Sequence, residues 1–376
     1  MLRSNFMKAT AMSVALFAGQ ALWAQDTALP KSMVWTSYDL GSTGYVEASA
    51  MADALDKKFG TTVRLTPSGT GVGRLLPLKT KRANFGFMGN EILFAAEGSF
   101  EFAAKDWGPQ DTRVLLGRPA AVGLITGKDT DIHTMADVRG KKVGYVQANP
   151  SIDMNIAAEL AFGGLTKDDV EPVVYPGYGA MVKGFIAGEI DVVTVTPTVS
   201  ALREAEGGRG VRWIDMPGSD AEGWARVRAS SSVFSPATMT VGVSISAEDP
   251  AELLGYRYPQ LSTYADVSED EVYALIKALD ESYDLFKDGN QVMGRWNLEE
   301  AGTSPAGAPF HPGAIKYLRE KGIWNVEDDA WNDARIAELE KIKAAWPEAL
   351  AKADAEGVSD ENWPAFWEAY KAEKLN

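Results

Sequence analysis

Residues 113–126 read RVLLGRPAAVGLIT. The run is long and apolar, and it is broken only at Arg118-Pro119. Proline removes a backbone donor, so in extended chain it marks an edge or a break. An apolar stretch interrupted once in its middle reads as a crossing between two lobes. It divides the chain into two sets of elements that follow one order.

Before the crossing, strand-like and helix-like runs alternate. MVWTSY (33–38) is β-rich, and the helix behind it sets Val46, Met51, Leu55 and Phe59 on one side. TTVRLT (61–66) reads as a strand, RLLPLK (74–79) as a helix bent by Pro77, NFGFMGN (84–90) as a short buried strand with a turn, and EILFAA (91–96) as a helix. After the crossing, VRGKKVGYVQ, SIDMNIAAEL, EPVVYPG and YGAMVKGFIAGEIDVVTVTP repeat the alternation over 138–197. ATMTVGVSI (237–245) is expected to be the strand that returns the chain to the first lobe. SEDEVYALIKALDESYDLF (268–286) is expected to be one long helix opened by a Ser268–Glu271 capping box. Alternation of this kind predicts parallel-rich sheets and an α/β fold.

Residues 1–24 differ from the rest. Arg3 and Lys8 precede a short apolar run that ends in small Ala24, the order of a cleaved secretory leader. The apolar run is shorter than the ~20 residues that span a bilayer. Over the whole chain 52 acidic residues face 37 basic ones, a formal charge of −15. Losing Arg3 and Lys8 makes the balance more acidic still, so nucleic acid and anionic membrane surfaces are not expected partners. With no cysteine there is neither a lipidated anchor nor a disulfide framework. An exported, freely soluble protein that relies on its core is the expectation.

The loops after the strands share one chemistry: Ser42-Thr43, Ser68-Gly69-Thr70, Gly89-Asn90, Asn149-Pro150-Ser151 and Thr196-Pro197. Each precedes a helix-like run, whose first turn leaves N–H groups unpaired and carries about half a positive charge. In open α/β sheets such loops converge at the carboxyl ends of the strands, where ligands bind. Hydroxyls and glycines there suit a carboxylate or phosphate. Taken singly, each loop has a plainer reading, in which its residues only cap their own helices. For the first loop, Ser42, Thr43 and the N–H groups of Gly44 and Tyr45 are the proposed contacts. Arg74, one turn beyond Ser68-Gly69-Thr70, is placed to fork onto a carboxylate, its alternative being a solvated surface arginine. Arg118 is a weaker candidate for the same role.

Catalytic patterns are thin. The two histidines, His133 and His311, stand far apart in sequence, and His311 in PFHPG reads as a turn residue. No zinc-protease, nucleophile-elbow or P-loop motif occurs, and SGTGVG is an incomplete nucleotide loop. No catalytic residue, metal or cofactor is expected.

The order GSTGY, SGTGVGRLL, NFGFMGNE, VRGKKVGYVQ, GEIDVVTVTPT and PFHPGAIKYLREKG resembles the TAXI family over residues 33–322. These are solute-binding subunits of tripartite ATP-independent periplasmic (TRAP) transporters. The resemblance implies an α/β, two-lobed periplasmic binding protein of type II-like form, with crossing hinge strands and a C-terminal helical extension. The expected layout is a leader at 1–24, a first lobe at 32–118 plus 238–312, a second at 119–237 and an extension at 313–376. It implies a monomer that hands a small anionic solute, an amino acid or dicarboxylate such as glutamate or 2-oxoglutarate, to TRAP membrane subunits. Together with the loop reading, it gives the expected ligand-binding residues as Ser42, Thr43, Gly44, Tyr45, Ser68, Thr70, Arg74, Asn90, Asn149, Ser151 and Thr196. The chain departs from the family at Arg74, where a small polar residue is usual, at Pro150-Ser151, and in its long tail. A binding protein for an ABC importer or a sensor is the second reading, and an exported two-lobed enzyme the third.

The tail is helical, charged and rich in tryptophan. Trp331, Ile336, Leu339 and Ile342 form one expected apolar face, and Trp363, Phe366, Trp367 and Tyr370 another. A brace across the back of the lobes is favoured over an interface, because a soluble protein does not leave such area in water.

Overall fold

The structure is a computed structural model that describes residues 29–376 except 39, 41, 148, 200, 232 and 376. The leader expected at 1–24 lies outside the described residues. Ten strands are present among them: β1 (Ser32–Ser37), β2 (Thr62–Pro67), β3 (Phe85–Met88), β4 (Thr112–Thr126), β5 (Lys142–Val146), β6 (Glu171–Tyr175), β7 (Val192–Val195), β8 (Arg212–Trp213), β9 (Ser235–Met239) and β10 (Ala251–Tyr264). The helices of the first half are α1 (Thr43–Phe59), α2 (Gly71–Lys79), α3 (Glu91–Glu97), α4 (Pro150–Phe162), α5 (Tyr178–Ile186), α6 (Leu202–Gly207) and α7 (Ala221–Ser230). Those after β10 are α8 (Glu269–Glu281), α9 (Tyr283–Phe286), α10 (Leu298–Ala301), α11 (Pro312–Glu320), α12 (Val326–Glu356) and α13 (Trp363–Leu375).

The strands run in the order β2-β1-β3-β10-β4-β7-β5-β6, with β8 beside β4 and β9 beside β10. The outer pairs β1/β2, β1/β3, β5/β6 and β5/β7 are parallel, and the central partners of β4 and β10 are antiparallel. β4 is the crossing that the 113–126 stretch predicts. Its first half pairs with β10 at Gln260–Tyr264 beside β3, and its last residues, Gly123–Thr126, pair with β7 in the other lobe. Strands covered on both faces need no alternation: FGFM of β3 and VVTV of β7 are buried at every position.

The return crossing differs from the expectation. β10, not residues 237–245, carries the chain back, and only Ser235–Met239 of that region is strand, lying against β10 at Ala251–Gly255. β10 contains Pro259, which would break a regular ladder. The register shifts between Arg257 and Gln260, so the proline sits at an irregularity where no ladder donor is required. The expected 268–286 helix is divided at Ser282, whose buried hydroxyl donates back to the Ala278 carbonyl at 2.6 Å. Ser268 caps α8 by accepting from the Glu271 N–H at 3.1 Å. The Glu271 carboxylate instead accepts from Asn84, so the reciprocal half of the expected box is missing.

α11 belongs with the first lobe rather than with the extension. Ala314, Tyr317 and Leu318 are buried, and Tyr317 donates to Asp280 of α8 at 2.8 Å. His311 caps it, Nδ1 accepting from the Gly313 N–H and Nε2 donating to the Val267 carbonyl, as a turn residue would.

α12 and α13 lie across α3 and the turn at Phe100–Ala103 that follows it. The Trp363 indole donates to the Ala103 carbonyl at 2.7 Å and the Trp367 indole to the Gly98 carbonyl at 2.9 Å. Trp346 meets both rings edge-on, at 5.0 and 4.8 Å. Gly108 has φ +64, and a Cβ there would strike the Trp346 indole. Arg335 pairs with Glu97 at 2.6 Å, and Lys371 donates to Ser99 at the same distance. The tail thus packs on α3 and the turn after it, the contacts a brace would make. The buried stripe of α12 is phased differently, however, and begins with Asp328, Asn332 and Arg335 before Leu339 and Ile342. Trp331 and Ile336 are only half-buried.

Candidate functional site

The loops at the carboxyl ends of β1, β2 and β3 face those of β5 and β7 across a cleft of about 970 Å³. Of the expected contacts, Thr43, Thr70, Arg74, Asn90, Asn149, Ser151 and Thr196 line it; Ser42, Gly44, Tyr45 and Ser68 do not.

Local geometry explains that division. The Ser42 hydroxyl accepts from the Tyr45 N–H at 3.1 Å and caps α1, which is the plainer of the two readings offered for this loop. Thr70 caps α2 by accepting from Gly73 at 3.0 Å, and Asn149 caps α4 by accepting from Ile152 at 3.2 Å, with Pro150 at the first helical position. These two cap and line at once. Ser68 turns its carbonyl to Arg74. Gly44 is not itself a wall residue, but a Cβ on it would be driven into the ring of Tyr38, which is.

Arg74 is not a free fork. It is 4% exposed, with Nη2 2.6 Å and Nε 3.0 Å from Glu91 Oε1, and Nη1 donating to the Ser68 carbonyl at 2.8 Å. The guanidinium lies 3.9 Å from the Tyr38 ring centre, and the Tyr38 hydroxyl donates to the same Glu91 oxygen at 3.3 Å. The solvated-surface reading gives way to a buried ion pair in the cleft wall, with the guanidinium already engaged by Glu91 and the Ser68 carbonyl. A bare guanidinium at that burial would carry a large desolvation penalty, and Glu91 offsets it. Arg118 is paired likewise: Nε and Nη2 reach the two oxygens of Glu47 at 3.0 and 2.9 Å, and the Trp296 indole donates to Glu47 at 2.6 Å.

Among the wall residues that escaped the sequence reading are Tyr38, Glu91, Asn155, Tyr178, Tyr256 and Tyr258. Tyr256 and Tyr258 are two apart on β10, and strand periodicity alone puts them on one face. Their rings stack at 5.8 Å and 27°, and Tyr38 meets Tyr258 edge-on at 5.7 Å. At the floor, Asn90 of the first lobe donates to Asn155 of the second at 3.4 Å. Both amides are more than nine-tenths buried.

One turn beyond Asn155 on α4, Glu159 is fully buried. Thr194 donates to its Oε1 at 3.1 Å, while Oε2 has no hydrogen-bond partner among the described residues. Burial pushes this carboxyl up to about 8, with the Thr194 bond pulling weakly the other way. Below the ordinary carboxylate range, near ~4.3, folded and unfolded chains both keep the proton and the site costs no charge. Between there and about 8 only the unfolded chain releases it, so stability falls as pH rises; above about 8 the penalty is complete and constant. Glu159→Gln is therefore expected to melt like the native protein near pH ~4.5. Thermal melts should show it more stable by on the order of 5 kcal/mol near pH ~9, the gap opening between those limits. A gap that does not change with pH would show that Glu159 titrates normally.

Neither histidine is in the cleft: His133 is exposed and His311 caps α11. Among the described residues no cluster of metal-ligating side chains occurs, and no helix is long and apolar enough to cross a membrane.

Two α/β lobes, a pair of antiparallel crossing strands and a cleft at the strand carboxyl ends define the two-lobed periplasmic binding protein fold. A model of the NMT1-like family matches residues 40–322, three-quarters of the sequence, and the chain belongs to that family. The match ends at the turn after α11, leaving α12 and α13 outside it. The family found is thus NMT1-like, whereas the motif order resembles TAXI. Similar solved structures include the periplasmic aliphatic sulphonate binding protein SsuA from Escherichia coli, at 18% identity, covering 85% of this chain and 88% of that one, with a TM-score of 0.45. Another is the amino acid ABC transporter substrate-binding protein AbpA from Streptococcus pneumoniae bound to L-arginine, at 16% identity, 70% and 95% coverage and a TM-score of 0.39. A third is the alkanesulfonate-binding protein SsuA from Xanthomonas axonopodis pv. citri bound to MOPS, at 14% identity, 82% and 85% coverage and a TM-score of 0.41.

Proposed function

We propose that this chain is an exported solute-binding protein, which captures a small organic acid between its lobes and delivers it to a membrane importer. The observation that carries the reading is the cleft itself. Its wall draws on both lobes, and among the described residues two crossing strands join them through the sheet, the form of a hinge. A solute that touches both walls favours the closed arrangement by its differential contacts. Acid recognition falls to neutral groups of the wall: the Ser151 N–H at the start of α4, the hydroxyls of Thr43, Thr70 and Ser151, and the Asn90 and Asn155 amides. The reading requires capture and release, with no bond made or broken.

For the partner, the proposal puts an ABC importer first and the TRAP subunits of the motif resemblance second. Reconstitution decides between them. Purified chain is added to proteoliposomes holding the membrane subunits encoded beside it. Stimulated ATP hydrolysis establishes the first, uptake driven by an ion gradient without ATP the second, and no uptake in either system removes the delivery role.

Gly44 provides a test that leaves the polar groups in place. Gly44→Val is expected to push Tyr38 off its seat against Arg74 and to weaken capture about tenfold or more, at an overpacking cost of about 1–3 kcal/mol. Calorimetry with the captured solute checks it; unchanged affinity would show that the Tyr38 wall is not part of the site.

A further inference from the structure

We infer that the cleft selects a solute with a single acidic group on an apolar, planar body, and that it discriminates against dicarboxylates. This rests on the solute-capture reading above and narrows it.

The first ground is the charge of the wall. Arg74, Arg118 and Arg295 are the cations among the described lining residues, and each already has a carboxylate from its own chain. Arg74 lies 2.6 Å from Glu91, Arg118 2.9 Å from Glu47, and Arg295 3.0 Å from Glu300. The first two pairs are buried; the third is partly exposed and correspondingly weaker. Glu101 also lines the cavity and adds a fourth carboxylate. Three cations against four carboxylates leave no surplus positive charge for a dianion. One acid group can be held by neutral donors, as bound anions are at helix starts and amides. A second would stand against a wall whose charge already leans negative.

The second ground is the hinge-facing wall. Tyr256 and Tyr258 present stacked rings from β10, and neither hydroxyl makes a hydrogen bond among the described residues. Aromatic faces bind flat apolar bodies in offset or edge-on contact, and their negative faces disfavour further anionic groups. Phe94, Phe100 and Val72 continue the apolar surface on the first-lobe side. The Asn90–Asn155 pair spans the floor between the lobes, with only one 3.4 Å bond spent between the two amides. A single carboxylate or sulfonate seated there would be held from both lobes at once.

The test is calorimetry on desalted full-length chain with phenylacetate, benzenesulfonate, hexanoate, glutarate and 2-oxoglutarate. Phenylacetate or benzenesulfonate is expected to bind at least about tenfold more tightly than either dicarboxylate, with hexanoate between. The two aromatic probes separate a carboxylate site from a sulfonate site. Glu91→Gln, which frees Arg74, is expected to narrow the aromatic-to-glutarate ratio by about fivefold or more. Glu101→Gln, at an exposed position that is no part of an ion pair, should narrow it in the same direction should the first variant fold poorly. A native preference for dicarboxylates, or a ratio unmoved in both variants, overturns the inference while capture stands. No binding of any probe up to ~10 mM overturns acid capture, and this inference with it.

Discussion

Truncation after Gly322 is expected to lower the melting temperature sharply and to weaken solute binding in the same protein. The segment removed contains Trp363 and Trp367, both almost wholly buried, and the Trp346 ring packed between them and Gly108. A single buried tryptophan cut to alanine costs about 3–5 kcal/mol, and losing both helices should exceed that. The truncation also strips the Gly98 and Ala103 carbonyls of their indole donors and Glu97 of Arg335. All of these lie on or just after α3, a helix whose first residue, Glu91, holds Arg74 in the cleft wall. The brace therefore reaches the site through one short helix. Trp367→Ala, a milder form of the same change, should show both effects at smaller size. Melting curves and calorimetry read them, and a truncated chain with unaltered melting would make the tail something other than a brace.

Glu47→Ala is the second change with a large expected effect, about 3–5 kcal/mol of destabilisation. Glu47 is fully buried on α1, and its two oxygens take the Arg118 fork and the Trp296 indole. Its removal leaves a buried guanidinium without a counter-charge and an indole N–H without an acceptor. The cost is set by that stranded charge more than by the pair's own worth. Glu47→Leu combined with Arg118→Met is consequently expected to be more stable than either single change. Denaturant melts of the four proteins complete the cycle. If the double variant loses the sum of the two singles, the pair is not coupled and the burial argument fails.

The elements that position the cleft were legible because local pattern and burial agree there. The β4 crossing, the parallel strands on either side and the capping loops all follow from apolar runs bounded by glycine, serine and threonine. β10 was missed because Gly255 and Pro259 are turn signals in isolation; only pairing with β4, across a register shift, shows the proline to be tolerated. Missing that strand also hid Tyr256 and Tyr258. The α12 stripe was misphased because three of its buried positions are polar. Asp328 accepts from Ser304, Asn332 from the Phe310 N–H, and Arg335 pairs with Glu97. No apolar periodicity can reveal a polar group that is buried because its partner is elsewhere. The ion pair of Arg74 was hidden for the same reason: its counterion is 17 residues away in sequence and on another helix.

The central claim is that the interlobe cleft captures one small solute. Native mass spectrometry of gently purified full-length protein tests it most directly, with Gly44→Val alongside. A one-to-one adduct of small mass is expected on the native chain, lost on denaturation and depleted in the variant. A bare native chain that stays bare after exposure to the small-molecule fraction of its source cells, or an adduct equally abundant in Gly44→Val, would contradict it.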